Sequence, residues 1–228
     1  MRSNEPNSEQ LVASIDIKVD KLIEIVKKHK NSEVGKITNQ RMLEFSELGR
    51  KSSNEIFKEL CFCFLTANFS ASGGIKIQNA IGDGFLFFSE EKLAEKLKFL
   101  GHRFPNARAK FIFEARKYKD HIKEILGSFS DEKNAREWIV KNIKGIGMKE
   151  ASHFLRNIGY KNLAIIDFHI IDLLARNGLI EKPKSKSLTP KKYLEIENIL
   201  KQLSEKTNTS LGELDLYLWY EETGKVLK

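Results

Sequence analysis

Lys144-Gly145-Ile146-Gly147-Met148-Lys149-Glu150-Ala151-Ser152, followed at close range by Ile165-Ile166-Asp167-Phe168-His169, is the stretch on which the reading of this chain turns. Two glycines interrupt an otherwise helical pattern with amphipathic residues on both sides, which predicts a tight hairpin joining two helices. Glycine has no Cβ, so the backbone there can take φ > 0 and can also approach another backbone closely. The helix predicted to start near Met148 points its unpaired N–H groups over the hairpin, which makes Gly145-Ile146-Gly147 a seat for a phosphate. By itself a Gly-x-Gly pair also fits a plain helix-turn-helix connection.

A lysine two residues beyond Gly147 and an aspartate eighteen residues after it (167 − 149) add a second layer. Gly-Ile-Gly-Met-Lys followed by Asp-Phe-His resembles the helix-hairpin-helix DNA glycosylase superfamily, which carries a Lys nucleophile on the second helix and an Asp downstream. Four further segments extend the likeness: Lys149 to Gly159, Leu65-Thr66-Ala67-Asn68-Phe69-Ser70-Ala71, Gly101-His102-Arg103-Phe104, and Leu214-Asp215-Leu216-Tyr217-Leu218-Trp219-Tyr220. Together they resemble one branch, the type 2 family of archaeal and bacterial 8-oxoguanine DNA glycosylase/AP lyases. The resemblance spans roughly Glu44 to Lys228 and does not inform residues before about Leu11.

It implies a specific chemistry. An amine can attack C1′ of a damaged nucleotide, form a Schiff base with the opened sugar and so allow β-elimination that nicks the strand. Water cannot form an imine, so a lysine is required, and Lys149 is the expected nucleophile. It must lose its proton to act, and the first turn of a helix, where the positive end of the dipole disfavours an ammonium, suits that need. Asp167 is the expected partner, a carboxylate that stabilises positive charge developing on the sugar and handles the amine's proton. Asp167 also fits an N-cap for the helix after it. Asp172, five residues on, reads as a solvated or ion-paired side chain inside that helix.

A base inside a duplex has to be flipped out, which requires a filler for the gap and a pocket for the base. Asn68, Phe69 and Arg103 are the expected DNA contacts beside Gly145 and Gly147, and Phe104 and Trp219 the expected stacking faces; each aromatic also fits a place in the core. The resemblance alone adds Asp215 to the lesion pocket, together with Lys228, whose free α-carboxylate would accept hydrogen bonds from the damaged guanine. His153 lies one turn beyond Lys149 and fits either the pocket or a packing role. His153 and His169 lack metal-ligand spacing, so no catalytic metal is expected. The resemblance allows a monovalent cation held by hairpin carbonyls around Ile143 to Gly147.

Composition is consistent with an anionic partner. The chain has 228 residues, 41% of them hydrophobic, and 39 Lys and Arg against 31 Asp and Glu give a net charge of +8. A pI near 9.3 points to nucleic acid, though a solvated Lys-rich surface gives the same number. Cys61 and Cys63, the only cysteines, would point about 200° apart on a helix. They form neither a metal quartet nor a disulfide, and the four-cysteine iron–sulfur cluster of some superfamily members is excluded. No signal peptide or membrane-length apolar run is visible, so a cytoplasmic location, nucleoid-associated when acting on DNA, is expected; a monomer is expected as well.

Helix follows helix along the chain. Met1 to Gln10 is polar and expected to fray, and Leu11 to Lys30 reads as the first helix. Phe57 to Leu65 is densely apolar behind Ser52-Ser53-Asn54, which fits a capped, buried helix. Ser70 to Gly74 reads as a turn before a short helix to Ile81, and Glu90 to Leu100 and Asn106 to Ile125 read as amphipathic helices. Ser130 to Lys133 starts a helix running to Ile143, and Glu181 to Pro190 is a surface loop before helices at Lys191 to Ser204 and Leu211 to Glu222. The expected fold is all-α, with about ten helices. The resemblance implies one catalytic unit with two helical subdomains around a cleft, a hairpin subdomain at 70–160 and a second built from 11–69 with 161–228. The function implied is a bifunctional glycosylase/AP lyase acting on 8-oxoguanine in double-stranded DNA. A glycosylase for another damaged or mismatched base, or a non-catalytic DNA-binding module, remains an alternative on the sequence.

Overall fold

The computed structural model describes residues 8–185 and 188–228, with side chains from residue 19 onward. Among the described residues there is no strand, and thirteen α-helices follow one another: α1 (Ser8–Lys30), α2 (Glu33–Arg50), α3 (Ser53–Thr66), α4 (Ala71–Ile81), α5 (Gly84–Phe87), α6 (Glu90–Phe99), α7 (Pro105–Ala115), α8 (Ile122–Gly127), α9 (Glu132–Asn142), α10 (Met148–Asn157), α11 (Phe168–Arg176), α12 (Pro190–Thr207) and α13 (Leu211–Thr223). Residues 1–7 of the polar segment expected to fray lie outside the described residues, as do 186 and 187 of the expected loop. No described helix is long and apolar enough to cross a membrane.

Side-chain caps set most starts. Ser52, Ser70, Ser89, Asp131, Asp167, Thr189 and Ser210 each accept from a backbone N–H of the first turn that follows. Each satisfies a donor the helix itself cannot use, worth about 1 kcal/mol relative to alanine. Ser210 forms a full capping box, because Glu213 reaches back to accept from the Ser210 N–H at 2.7 Å.

The chain divides into two compact units. One takes in Gln40–Ile165 with Leu227–Lys228, the other the described residues up to Asn39 and those of Ile166–Val226. In the first, α3 is the central rod: eleven of its fourteen residues are buried, and it packs on α4, α5, α7, α8 and α10. A helix apolar on all sides is stable only when covered on all sides, and this is why both Cys61 and Cys63 sit fully buried although they point apart. In the second unit α1 packs on α12 and α13, and α11 on α13.

Four expectations need correction. The boundary expected at 69/70 falls inside α2, because α3 belongs to the core of the hairpin unit. Ser70 to Gly74 is a cap and first helical turn rather than a free turn; a Cβ on Gly74 would stand 3.1 Å from Phe62, so glycine there lets α4 lie close on α3. The helix expected over Asn106 to Ile125 breaks at a 3₁₀ turn over Arg116–Tyr118. There Arg116 Nε donates to the Phe85 carbonyl at 2.8 Å and the Tyr118 ring meets Trp138 edge-on at 5.1 Å, so contacts to other elements override the local pattern. The fourth is α2, absent from the sequence reading.

Candidate active site

The hairpin is anchored from below. Ile143 and Ile146 are buried, and the Ile146 N–H donates to the Ile143 carbonyl to close the turn. Gly145 has φ +89°, and a Cβ there would stand 2.4 Å from the Phe111 ring. Gly147 differs from expectation: its φ of −99° is open to any residue and its Cβ would meet only the Glu150 carboxylate at 3.4 Å. What distinguishes Gly147 is its place as N-cap of α10 with no side chain capping it. The first N–H groups of α10 are therefore left for an external acceptor. Lys149 is the second residue of α10, its side chain about one-fifth exposed and its Nζ 3.5 Å from Glu150 Oε1.

One turn on, His153 is buried with its ring edge-on to Phe62 at 5.7 Å. Burial first, then the positive charges of Arg156 and Lys149, hold the imidazole well below its ordinary protonation range. The backbone of Lys228 hydrogen-bonds this ring, so the last two residues lie with the hairpin unit.

The same unit brings Asn68, Phe69, Arg103 and Phe104 into one loop cluster. His102 joins them: its ring lies on the Phe69 ring at 4.6 Å, Nδ1 accepts from the Phe104 N–H at 3.1 Å, and Nε2 lies 3.0 Å from the Leu65 carbonyl. Since Nδ1 accepts, the proton sits on Nε2 and the ring is neutral. Arg108 adds a bond to the Ala67 carbonyl at 2.7 Å and lies 5.7 Å from the Phe104 ring, with Arg103 at 5.0 Å. Asn68 is exposed at φ +58°, and Arg103 and Phe104 are exposed, whereas the Phe69 ring is half-buried against His102.

Asp167 lies in the other unit, as N-cap of α11, its Oδ1 accepting from the Ile170 N–H at 3.0 Å. The preceding peptide is pinned by the buried Tyr193 hydroxyl, which accepts from the Ile166 N–H at 3.3 Å. His169 stands edge-on to Trp219 at 4.8 Å and against the exposed Phe168 at 4.0 Å. Asp215 is one turn before Trp219 on α13, so the two share a face. Asp172 is ion-paired with Lys182 at 2.6 Å, as its position suggested.

Residues 38–209 match the family described as 8-oxoguanine DNA glycosylase. This chain belongs to that family. An 8-oxoguanine DNA glycosylase/AP lyase from Korarchaeum cryptofilum is 57% identical over 210 residues, 92% of this chain and 99% of that protein. The crystal structure of the Methanocaldococcus jannaschii 8-oxoguanine glycosylase/lyase in complex with a 15mer DNA containing 8-oxoguanine matches with a TM-score of 0.88 at 56% identity, covering 91% of this chain and 100% of that one. The 8-oxoguanine DNA glycosylase of Thermotoga maritima matches with a TM-score of 0.86 at 45% identity, over 92% and 100%. The all-helical helix-hairpin-helix glycosylase fold read from the sequence is therefore the fold of this family member.

Sequence reasoning missed four polar residues in this 8-oxoguanine DNA glycosylase family chain. Glu150 beside Lys149 and His102 behind the loop cluster lie inside the motif segments but had no role assigned to them, and Arg108 lies outside those segments. Glu59 did carry a signal: it is a single carboxylate in the apolar run Phe57 to Leu65, and a buried charge needs a partner.

Proposed function

We propose that this chain, acting as a monomer, removes 8-oxoguanine from double-stranded DNA and then nicks the strand, with Lys149 as nucleophile. Family membership supports the reaction class, and the single observation that carries the residue assignment is Lys149 on the first turn of α10 behind the uncapped Gly147. Lys149 Nζ forms a bond to C1′ as the C1′–N9 bond breaks and its electron pair leaves with the base. Ring opening converts the adduct to an imine, loss of a C2′ proton expels the 3′ phosphate, and water releases the enzyme. Asp167 stabilises the charge on the sugar and takes up the amine's proton.

Phosphate binding falls to the N–H groups at Gly147 to Lys149 and the surrounding Lys and Arg side chains. Asn68 and Arg103 contact the DNA around the flipped nucleotide, with Phe69 bracing their loop; Phe104, Asp215, Trp219 and Lys228 face the base. A net charge of +8 supports an affinity that falls steeply with salt. A monovalent cation would brace the hairpin through backbone carbonyls around Ile143 to Gly147.

The test is borohydride trapping of the untagged chain on a duplex containing 8-oxoguanine, beside Lys149→Gln. A covalent adduct in the parent and none in the variant is expected. An adduct that survives in Lys149→Gln overturns the nucleophile. No adduct in either, with DNA bound, shifts the reading to another lesion or to a phosphate clamp.

A further inference from the structure

Glu59 is the only buried carboxylate of α3, and its side chain is only 3% exposed. Leaving such a group charged in a core is costly unless every oxygen is satisfied. Oε1 accepts from Asn157 Nδ2 at 2.7 Å, and the Asn157 carbonyl oxygen in turn accepts from Arg156 Nε and its terminal nitrogen at 3.0 and 2.9 Å. Oε2 accepts from Gln78 Nε2 at 3.1 Å and from Lys228 Nζ at 2.7 Å. The same ammonium donates to Gln78 Oε1 and lies 4.3 Å from the centre of the Phe62 ring.

Lys228 is thus held at two points. Its ammonium is caught by Glu59, Gln78 and Phe62, and its backbone bonds the ring of His153. Nδ1 of that ring is buried without a partner, so the bond is donated by Nε2–H to a Lys228 oxygen. His153 stands one turn from Lys149 on α10, close enough for the Lys149 charge to act on it. A side-chain anchor in the core therefore fixes where the backbone of residue 228 lies beside the nucleophile helix.

We infer that Glu59 is a positioning residue for base removal: through Lys228 it holds the backbone of residue 228 against His153, at the side of the site that meets the damaged base. This rests on the proposed role of Lys228 toward the base. Glu59 touches neither DNA nor Lys149 in this scheme, so it governs excision of a base and not the steps on a sugar whose base is already gone.

The test uses the untagged full chain, Glu59→Gln and Lys228→Met. Glu59→Gln keeps the volume and the Asn157 contact but removes the charge that holds the ammonium. Two readouts are taken: the rate at which carboxypeptidase B releases Lys228 from the native protein, and kcat/KM on 8-oxoguanine duplex against kcat/KM on a duplex with a preformed abasic site. Glu59→Gln is expected to speed Lys228 release and to lower 8-oxoguanine excision about tenfold, the effect of losing one charge-assisted hydrogen bond, with abasic-site cleavage within about twofold of the parent. Lys228→Met is expected to show the same loss of excision, and the double variant no further loss, because both act through one contact. Faster release of Lys228 with excision unchanged overturns the positioning role, and equal losses on both substrates reduce Glu59 to a structural role. Release unchanged in Glu59→Gln overturns the anchor itself. If Glu59→Gln fails to fold, Lys228→Met decides alone: unchanged excision refutes the inference. A parent protein inactive on 8-oxoguanine but active on the abasic duplex fails the proposed substrate instead.

Discussion

The two hairpin glycines are predicted to fail in opposite ways when replaced. Gly145 combines φ +89° with a Cβ position 2.4 Å from the Phe111 ring, and that ring cannot yield freely because it stacks on the fully buried Phe64 at 6.2 Å. An alanine there carries about 1–2 kcal/mol for the left-handed backbone and about 1–3 kcal/mol for overpacking, so Gly145→Ala should lose about 2–5 kcal/mol. Gly147→Ser meets neither penalty, since φ −99° and ψ −174° suit an N-cap serine and the nearest atom to a Cβ is at 3.4 Å. It should match or slightly exceed the parent in stability, because serine caps a few tenths of a kcal/mol better than glycine. Its hydroxyl takes up an α10 N–H otherwise offered to phosphate, so affinity for undamaged duplex should fall by about 1.5–3 kcal/mol, the worth of a hydrogen bond to a charged group. Urea unfolding and fluorescence anisotropy on the same preparations separate the two effects. A Gly145→Ala protein as stable as the parent refutes the steric argument. A Gly147→Ser protein that binds DNA like the parent refutes the phosphate seat.

Asp167→Asn should keep the cap on α11 and lose excision, whereas Asp167→Ala should lose excision and about 1 kcal/mol of stability as well; equal stabilities would remove the capping role. His102 and His153 are both held below the ordinary value near 6.5 by burial, so the unfolded chain takes up their protons first. Their contribution is complete above about pH 6.5 and is lost as pH falls toward the folded-state values, so the urea midpoint should drop from pH 8 to pH 5, and less steeply in His102→Asn. Burial raises both cysteine thiols, so Cys61 and Cys63 should resist a thiol reagent in the native protein and become reactive together as urea is raised below the unfolding transition. Labelling of one without the other would mean that α3 opens locally.

The residues that wrote themselves into the sequence are those whose role is local. A capping serine needs only the three residues after it, which is why Ser52, Asp131 and the start of α11 at Asp167 were legible. The hairpin was legible for the same reason, although only Gly145 needs glycine's backbone; Gly147 contributes by lacking a side chain. Helix α2 shows the opposite case. Its buried side chains beyond glycine, Val34, Thr38, Met42 and Phe45, do follow the helical period, but one of the four is polar, and Ile37 and Leu43 are about half exposed on the other faces. The apolar stripe is therefore too thin to read.

Roles that depend on distant partners left little trace. His102 earns its place by reaching the carbonyl of Leu65, 37 residues away, and Arg108 by reaching Ala67 across 41, so each looks in sequence like any polar residue near a turn. Glu59 and Lys228 are 169 residues apart, and neither alone announces the contact. The desolvation argument narrows this gap from one side only. A carboxylate in an apolar helix must be paired, but the sequence offers 39 cations and only the fold selects one. That selection falls on the residue whose backbone meets His153, so the polar network joins a core anchor to α10. Its excision phenotype, rather than its stability, is the quantity that would separate positioning from packing.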